Sequence, residues 1–247
     1  MRSDDTARRE FLAMAAAAGV ILVNPAARAA QPQGSDQPKK KDSDEDKDKG
    51  TGEEDVTPGE DLMQEHGLLK RVMLIYGESI RRLRAKEDID PQAIADGAGL
   101  IRSFVEDYHE KLEENYLFPR LRKANVEVEL VATLLMQHIA GRRVTDRTMH
   151  LATAASLKNE DDRRALIESL EAFNRMYAPH EAREDTVLFP AFRKIVSANE
   201  YNSLGEEFEK EEHKAFGQDG FEMNVAKVAS IEKKLGIYEL GQFTPKI

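Results

Sequence analysis

A histidine followed four residues later by a glutamate occurs twice in this chain, each time in the same setting. The first copy reads His109-Glu110-Lys111-Leu112-Glu113-Glu114, then Leu117-Phe118-Pro119 and Arg122-Lys123. The second reads His180-Glu181-Ala182-Arg183-Glu184-Asp185, then Leu188-Phe189-Pro190 and Arg193-Lys194. His109 and His180, Glu113 and Glu184, and Pro119 and Pro190 are all 71 residues apart. On a helix, residues i and i+4 share one face, a turn apart. A neutral imidazole and a carboxylate so placed can reach one buried cation together. Neither copy makes a whole site, but two facing copies could.

The helices that must carry these pairs are marked in the sequence. Thr57-Pro58-Gly59-Glu60 is a helix start with a capping box. The stripe that follows is Leu62, His66, Leu69, Met73, Tyr76, Ile80, Leu83. Its alternating spacing of four and three is the seam of a packed bundle. His66 stands where an aliphatic residue is expected, and a buried imidazole needs partners for its nitrogens. Asp90-Pro91 opens a second helix, with Ile89 and Ile94 as a hydrophobic staple. Its stripe runs Ile94, Ala98, Ile101, Val105, His109, Leu112, Tyr116.

A third helix is expected over roughly residues 127–155, with the stripe Val128, Val131, Leu135, His138, Arg142, Thr145, Met149, Ala152. Gly141 would let a neighbour come close. A fourth helix starts near Asn159, with the stripe Leu166, Leu170, Phe173, Tyr177, His180, Glu184, Leu188. Pro179 removes a backbone donor there and predicts a kink. Ser197-Ala198-Asn199-Glu200 opens a fifth helix carrying Leu204, Phe208 and Glu212-His213. A last short helix is expected over about 221–235.

Four of the six histidines thus fall on seams, in the order His66, His109, His138, His180. Any one alone reads as a satisfied core histidine. Together with Glu113 and Glu184 they read as a metal ligand set, because burying four imidazoles and two carboxylates without a cation is costly. Nitrogen-rich ligation with two carboxylates able to bridge suits two iron ions, with manganese or zinc as alternatives. His150 lies about a third of a turn off the His138 face. His213 is expected as a further ligand, with a solvated helix face as the alternative: sixteen residues of helix from Ser197, at about 1.5 Å each, carry it to the depth of a central site.

Composition sets the frame. The 247 residues allow one or two domains, and 40% hydrophobic content supplies a core. A net charge of −10 argues against nucleic acid as a partner. The chain has no Cys, which removes disulfides, thiolate zinc sites and thiol nucleophiles. Few alternating Val/Ile-rich runs occur, so the fold class expected is all-α. Residues 1–30 resemble a twin-arginine signal peptide. Arg8-Arg9-Glu10-Phe11-Leu12 precedes an apolar run to Val23, and Ala27-Arg28-Ala29 offers a cleavage site. A general secretory signal or an uncleaved anchor is the alternative. Export by that machinery to the periplasm is the expected localisation. Residues 31–56 read as a disordered charged linker. No later run approaches the length of a membrane span, so no stable insertion of the mature chain is expected.

The segments Glu65-His66, His109 to Glu114 with Leu117-Phe118-Pro119, His138, and His180 to Glu184 with Leu188-Phe189-Pro190 resemble the hemerythrin-like, HHE cation-binding family. The resemblance covers roughly residues 57–215 and leaves 216–247 as a C-terminal helical extension. It implies an up-down-up-down four-helix bundle in which His66, His109, His138 and His180 bind two non-haem irons bridged by Glu113 and Glu184. Two departures stand out. Oxygen-carrying members have a fifth His four residues after the one on the third helix, where this chain has Arg142. They also place an Asp five residues after the last His, which here is Asp185; Glu184 is preferred because it repeats Glu113.

The resemblance implies reversible binding of O2, NO or peroxide, as sensor, scavenger or carrier. An oxidase, peroxidase or iron-centre repair protein is one alternative. A metal-stabilised interaction module is another.

Overall fold

The computed structural model describes residues 56–217 and 220–247. The expected signal peptide, and all of the expected linker but Val56, lie outside these residues. The described chain is helical, with no strand among the described residues.

Helix α1 spans Pro58–Ala85. Its capping box forms as read from the sequence: the Thr57 side chain accepts from the Glu60 N–H, and the Glu60 carboxylate accepts from the Thr57 N–H at 3.0 Å. Lys86, in the left-handed region at φ 57°, ends it. Helix α2 is one unbroken rod made of five segments: Pro91–Leu100, Ile101–His109, Glu110–Leu112, Glu113–Leu117 and Phe118–Ala124. The second and fourth of these are wound as π-helix. Helix α3 spans Val128–Leu151. It ends earlier than expected, and a separate short helix α4, Ala154–Lys158, follows with Thr153 as its cap.

Helix α5 again joins three segments, Glu160–Arg183, a π-helical Glu184–Leu188, and Phe189–Ile195. Its first segment continues through Pro179 without a break. Helices α6, Ala198–Phe216, and α7, Gly220–Leu235, complete the order, before a 3-10 turn at Leu240–Phe243.

Each of α1, α2, α3 and α5 packs against the next, and α5 closes the ring against α1. The links α1–α2 and α2–α3 are short, and α4 spans the third, so chain neighbours run antiparallel. This is the up-down-up-down four-helix bundle. Helix α7 covers α1 and α2, and Val228, Ile231 and Leu235 join the same apolar core as Leu62 and Ile94.

The expected seams of α1 and α5 are buried almost throughout; only Met73 of the two stripes is half-buried. The seam of α3 is corrected. Its buried face is Val131, Leu134, His138, Gly141, Thr145, Thr148, whereas Leu135 and Arg142 are half-buried and Met149 is 44% exposed. Gly141 belongs to the packed face because the Tyr177 phenol takes the place of a side chain there. A Cβ at Gly141 would lie 2.0 Å from Tyr177 Oη and 2.9 Å from Cζ. The ring is rigid and 1% exposed, so it cannot retreat without repacking. Gly141→Ala should therefore cost about 1–3 kcal/mol by overpacking. A denaturant midpoint equal to that of the natural protein would show that the ring has room to move.

Candidate metal centre

The bundle brings the six seam residues together at one depth. Helix α1 supplies His66, α2 supplies His109 and Glu113, α3 supplies His138, and α5 supplies His180 and Glu184. None is more than 4% exposed. His66, His109 and Glu113 hold one ligand atom each within 4.8 Å of one another, and so do His138, His180 and Glu184. The two groups are joined by their carboxylates. Glu113 Oε2 lies 3.9 Å from His109 Nε2 and 3.4 Å from His138 Nε2. Glu184 lies 3.1 Å from His180 Nε2 through Oε1 and 3.4 Å from His66 Nε2 through Oε2. Each glutamate thus reaches one imidazole of its own hairpin and one of the other.

All four imidazoles turn Nε2 to the centre, and all four have an oxygen acceptor at Nδ1. Asp185 stands 2.7 Å from His66 Nδ1, Glu65 2.7 Å from His109 Nδ1, Glu114 3.1 Å from His138 Nδ1, and Gln137 2.8 Å from His180 Nδ1. Such acceptors place the ring proton on Nδ1 and leave the Nε2 lone pair facing inward. The rings of Phe189 and Phe118 stack on His66 and His138, with centroids 5.6 and 5.5 Å apart.

These residues fit a cation. Both carboxylate oxygens of Glu113, both of Glu184, and His138 Nε2 are buried with no hydrogen-bond partner among the described residues. So many buried carboxylate and imidazole atoms in one place are costly unless a positive charge lies among them. The electrostatics agree. Burial drives the Glu113 carboxyl up, with the nearby Glu184 charge adding to it. Glu184 is held well down, since His180 and His66 outweigh its burial. Burial pulls His109 down to about 4. Burial also acts to lower His66 and His138, but the carboxylates Asp185 and Glu184 on one, Glu113 and Glu114 on the other, raise each to about 10. Cation binding at Nε2 must therefore displace protons.

Asp185 lies as acceptor at His66 Nδ1, whereas Glu184 lies in the group with His138 and His180 that could hold a cation. Arg142 does not enter the centre. Its Nη2 donates to Glu110 Oε2 at 2.6 Å and to Glu114 Oε1 at 2.7 Å, outside His138. Tyr177 donates to the other oxygen of Glu110 at 2.7 Å and lies against the His180 ring. Tyr76 and Tyr108 are buried, whereas Tyr116 leans toward Phe208.

His213 is corrected: it is exposed on α6 and joins neither group. Its neighbour Glu212 is the buried residue, and caps α7 by accepting from the Phe221 N–H at 2.6 Å. One helical step is about 100° of rotation, enough to put His213 on the outer face. The residue missed in the sequence is Gln137. The signal was present, since it precedes His138 as Glu65 precedes His66.

An antiparallel four-helix bundle with two His/Glu groups at its centre defines a class of cation-binding proteins. The chain belongs to the hemerythrin family: the model of the hemerythrin HHE cation binding domain matches residues 57–191. An uncharacterized protein of Mycobacterium tuberculosis strain H37Rv is 45% identical over 239 residues, covering 96% of this chain and 91% of its own. An uncharacterized protein of Mycobacterium bovis matches to the same extent. No solved structure gives a significant match. Among the described residues, no helix is long and apolar enough to cross a membrane.

Proposed function

We propose that this protein holds two non-haem irons between His66, His109, Glu113, His138, His180 and Glu184, and binds O2 or a related small ligand such as NO or peroxide there. The observation that carries this is the arrangement of buried ligand atoms: two His/Glu groups with four Nε2 atoms and two carboxylates at one depth of the bundle, the oxygens of Glu113 and Glu184 and the Nε2 of His138 being without a hydrogen-bond partner among the described residues. Imidazole with carboxylate suits iron, and an iron pair with fewer than six protein ligands each supplies open coordination positions and reversible redox chemistry. The protein's own part is to orient the four rings through their Nδ1 acceptors and to keep bulk water out. Burial of the whole set restricts the ligand to something as small as a diatomic or peroxide.

Purified protein should carry about two irons per chain, with the six residues divided between two ions. Its optical spectrum should change on exposure of the ferrous form to O2, NO or peroxide. One zinc and no iron by elemental analysis, or a spectrum indifferent to all three ligands, rules this function out.

The role so described is a sensor, scavenger or carrier working in the periplasm after twin-arginine export. That route carries folded proteins, which suits a centre filled before transport. Arg8→Lys combined with Arg9→Lys should leave the precursor in the cytoplasm. Mature protein outside the cytoplasm in that double variant, measured by fractionation and immunoblot, excludes the route.

A further inference from the structure

The two hairpins are wired alike around their imidazoles except in the charge that backs the rings. Each ligand histidine on α2 and α5 receives its Nδ1 acceptor from the residue just before the first histidine of its own half. For His109 that residue is Glu65, at 2.7 Å; for His180 it is Gln137, at 2.8 Å. The other two acceptors come from the opposite half and are both carboxylates, Asp185 on His66 and Glu114 on His138. Stacking by Phe189 and Phe118 is the same on both sides. The departure from two-fold equivalence therefore lies in the charge behind the imidazoles.

We propose that the two cation positions are unequal, the His66/His109 position binding first and more tightly because carboxylates back both of its rings, with Glu65 and Gln137 as the positioning residues that set the difference. This rests on the two-metal function above. A carboxylate accepting from Nδ1–H pushes electron density onto the ring and makes Nε2 a better donor. Hydrogen bonds with one ionised partner are about twice as strong as neutral ones. A neutral amide oxygen orients the ring but polarises it less. At the His138/His180 position only one acceptor is charged, and it is shared. Arg142 lies 2.7 Å and Lys111 2.5 Å from the Glu114 carboxylate. Those cations draw the charge away from His138.

The test uses the chelator-stripped full chain, titrated anaerobically with Fe(II) against a chromophoric competing chelator. Two steps are expected, separated by about 10–100-fold, the usual effect of an outer-shell partner on metal affinity. Glu65→Gln should weaken the first step and close the gap. Gln137→Glu should strengthen the second step and close it from the other side. His138→Ala should keep the tight step, and His66→Ala should lose it. Far-UV circular dichroism checks that each variant folds, and Gln137→Glu alone decides the matter if Glu65→Gln does not. Two equal steps in the natural protein, or steps that Gln137→Glu leaves unmoved, overturn the inequality while leaving a two-iron protein. Fewer than two irons bound at saturation overturns the two-metal function itself, and this inference with it.

Discussion

Glu113→Ala and Glu184→Ala are each expected to remove iron from the purified protein and, in the iron-replete state, to lower its stability by about 4 kcal/mol if free metal stands a thousandfold above its dissociation constant. Each glutamate reaches an imidazole of both halves, so losing either opens both positions. With chelator present the two variants should part. Without a cation Glu113 is buried beside the Glu184 charge, and removing it relieves that conflict, so Glu113→Ala should be as stable as the natural protein or more so; Glu184 is held ionised by His180 and His66, so Glu184→Ala should still cost stability, though less than in the iron-replete state. Denaturant unfolding with and without chelator separates the two cases. Equal loss under both conditions would make the glutamates structural. If only one of the pair matters, the equivalence implied by the repeat fails.

Phe173→Ala should be the most damaging single change away from the centre, at about 3–5 kcal/mol. Phe173 is fully buried on α5, with its ring 5.3 Å from that of Tyr76 and 4.3 Å from that of Tyr177. Tyr177 in turn lies against His180 and holds Glu110. The cavity would sit directly behind that contact, so the ring next to His180 would lose its support. Thermal unfolding measures the loss, and a shift of under about 1 kcal/mol would mean that the neighbours collapse into the gap.

What the sequence made legible was the part fixed by repeated spacing. The pairs His109/Glu113 and His180/Glu184 announce themselves because side chains that share one helical face have to recur at one interval. The seams of α1 and α5 were equally plain, each being a long row of large apolar residues with a single histidine in it. The register of α3 was not. Leu134 and Leu135 are both apolar, and the packed face continues through Gly141 and Thr148, which carry no hydrophobic signal. The reason for that face is the Tyr177 phenol, from another helix 36 residues on. His213 failed similarly: its distance along α6 was right, but its neighbour Glu212 took the inward position to cap α7. The charge difference between Glu65 and Gln137 was visible as letters and acquired meaning only when their oxygens were found at Nδ1.

The π-helical segments Glu113–Leu117 and Glu184–Leu188 begin at the two glutamates of the centre and end just before the two stacked phenylalanines, Phe118 and Phe189. A π turn accommodates one more residue than an α turn. Each wide turn thus takes up one residue more than ordinary winding would place between the glutamate and the phenylalanine. Deleting one residue between Glu113 and Phe118 should let the stretch wind as ordinary α-helix with Phe118 still facing the His138 ring, whereas one further residue, wound as α-helix, would rotate everything beyond it by about 100° and carry the phenylalanine away. The same holds between Glu184 and Phe189 for His66. The exposed points Asn115 and Thr186 are where a residue can be lost. Along these two stretches the chain tolerates shortening better than lengthening, and relatives should differ there accordingly.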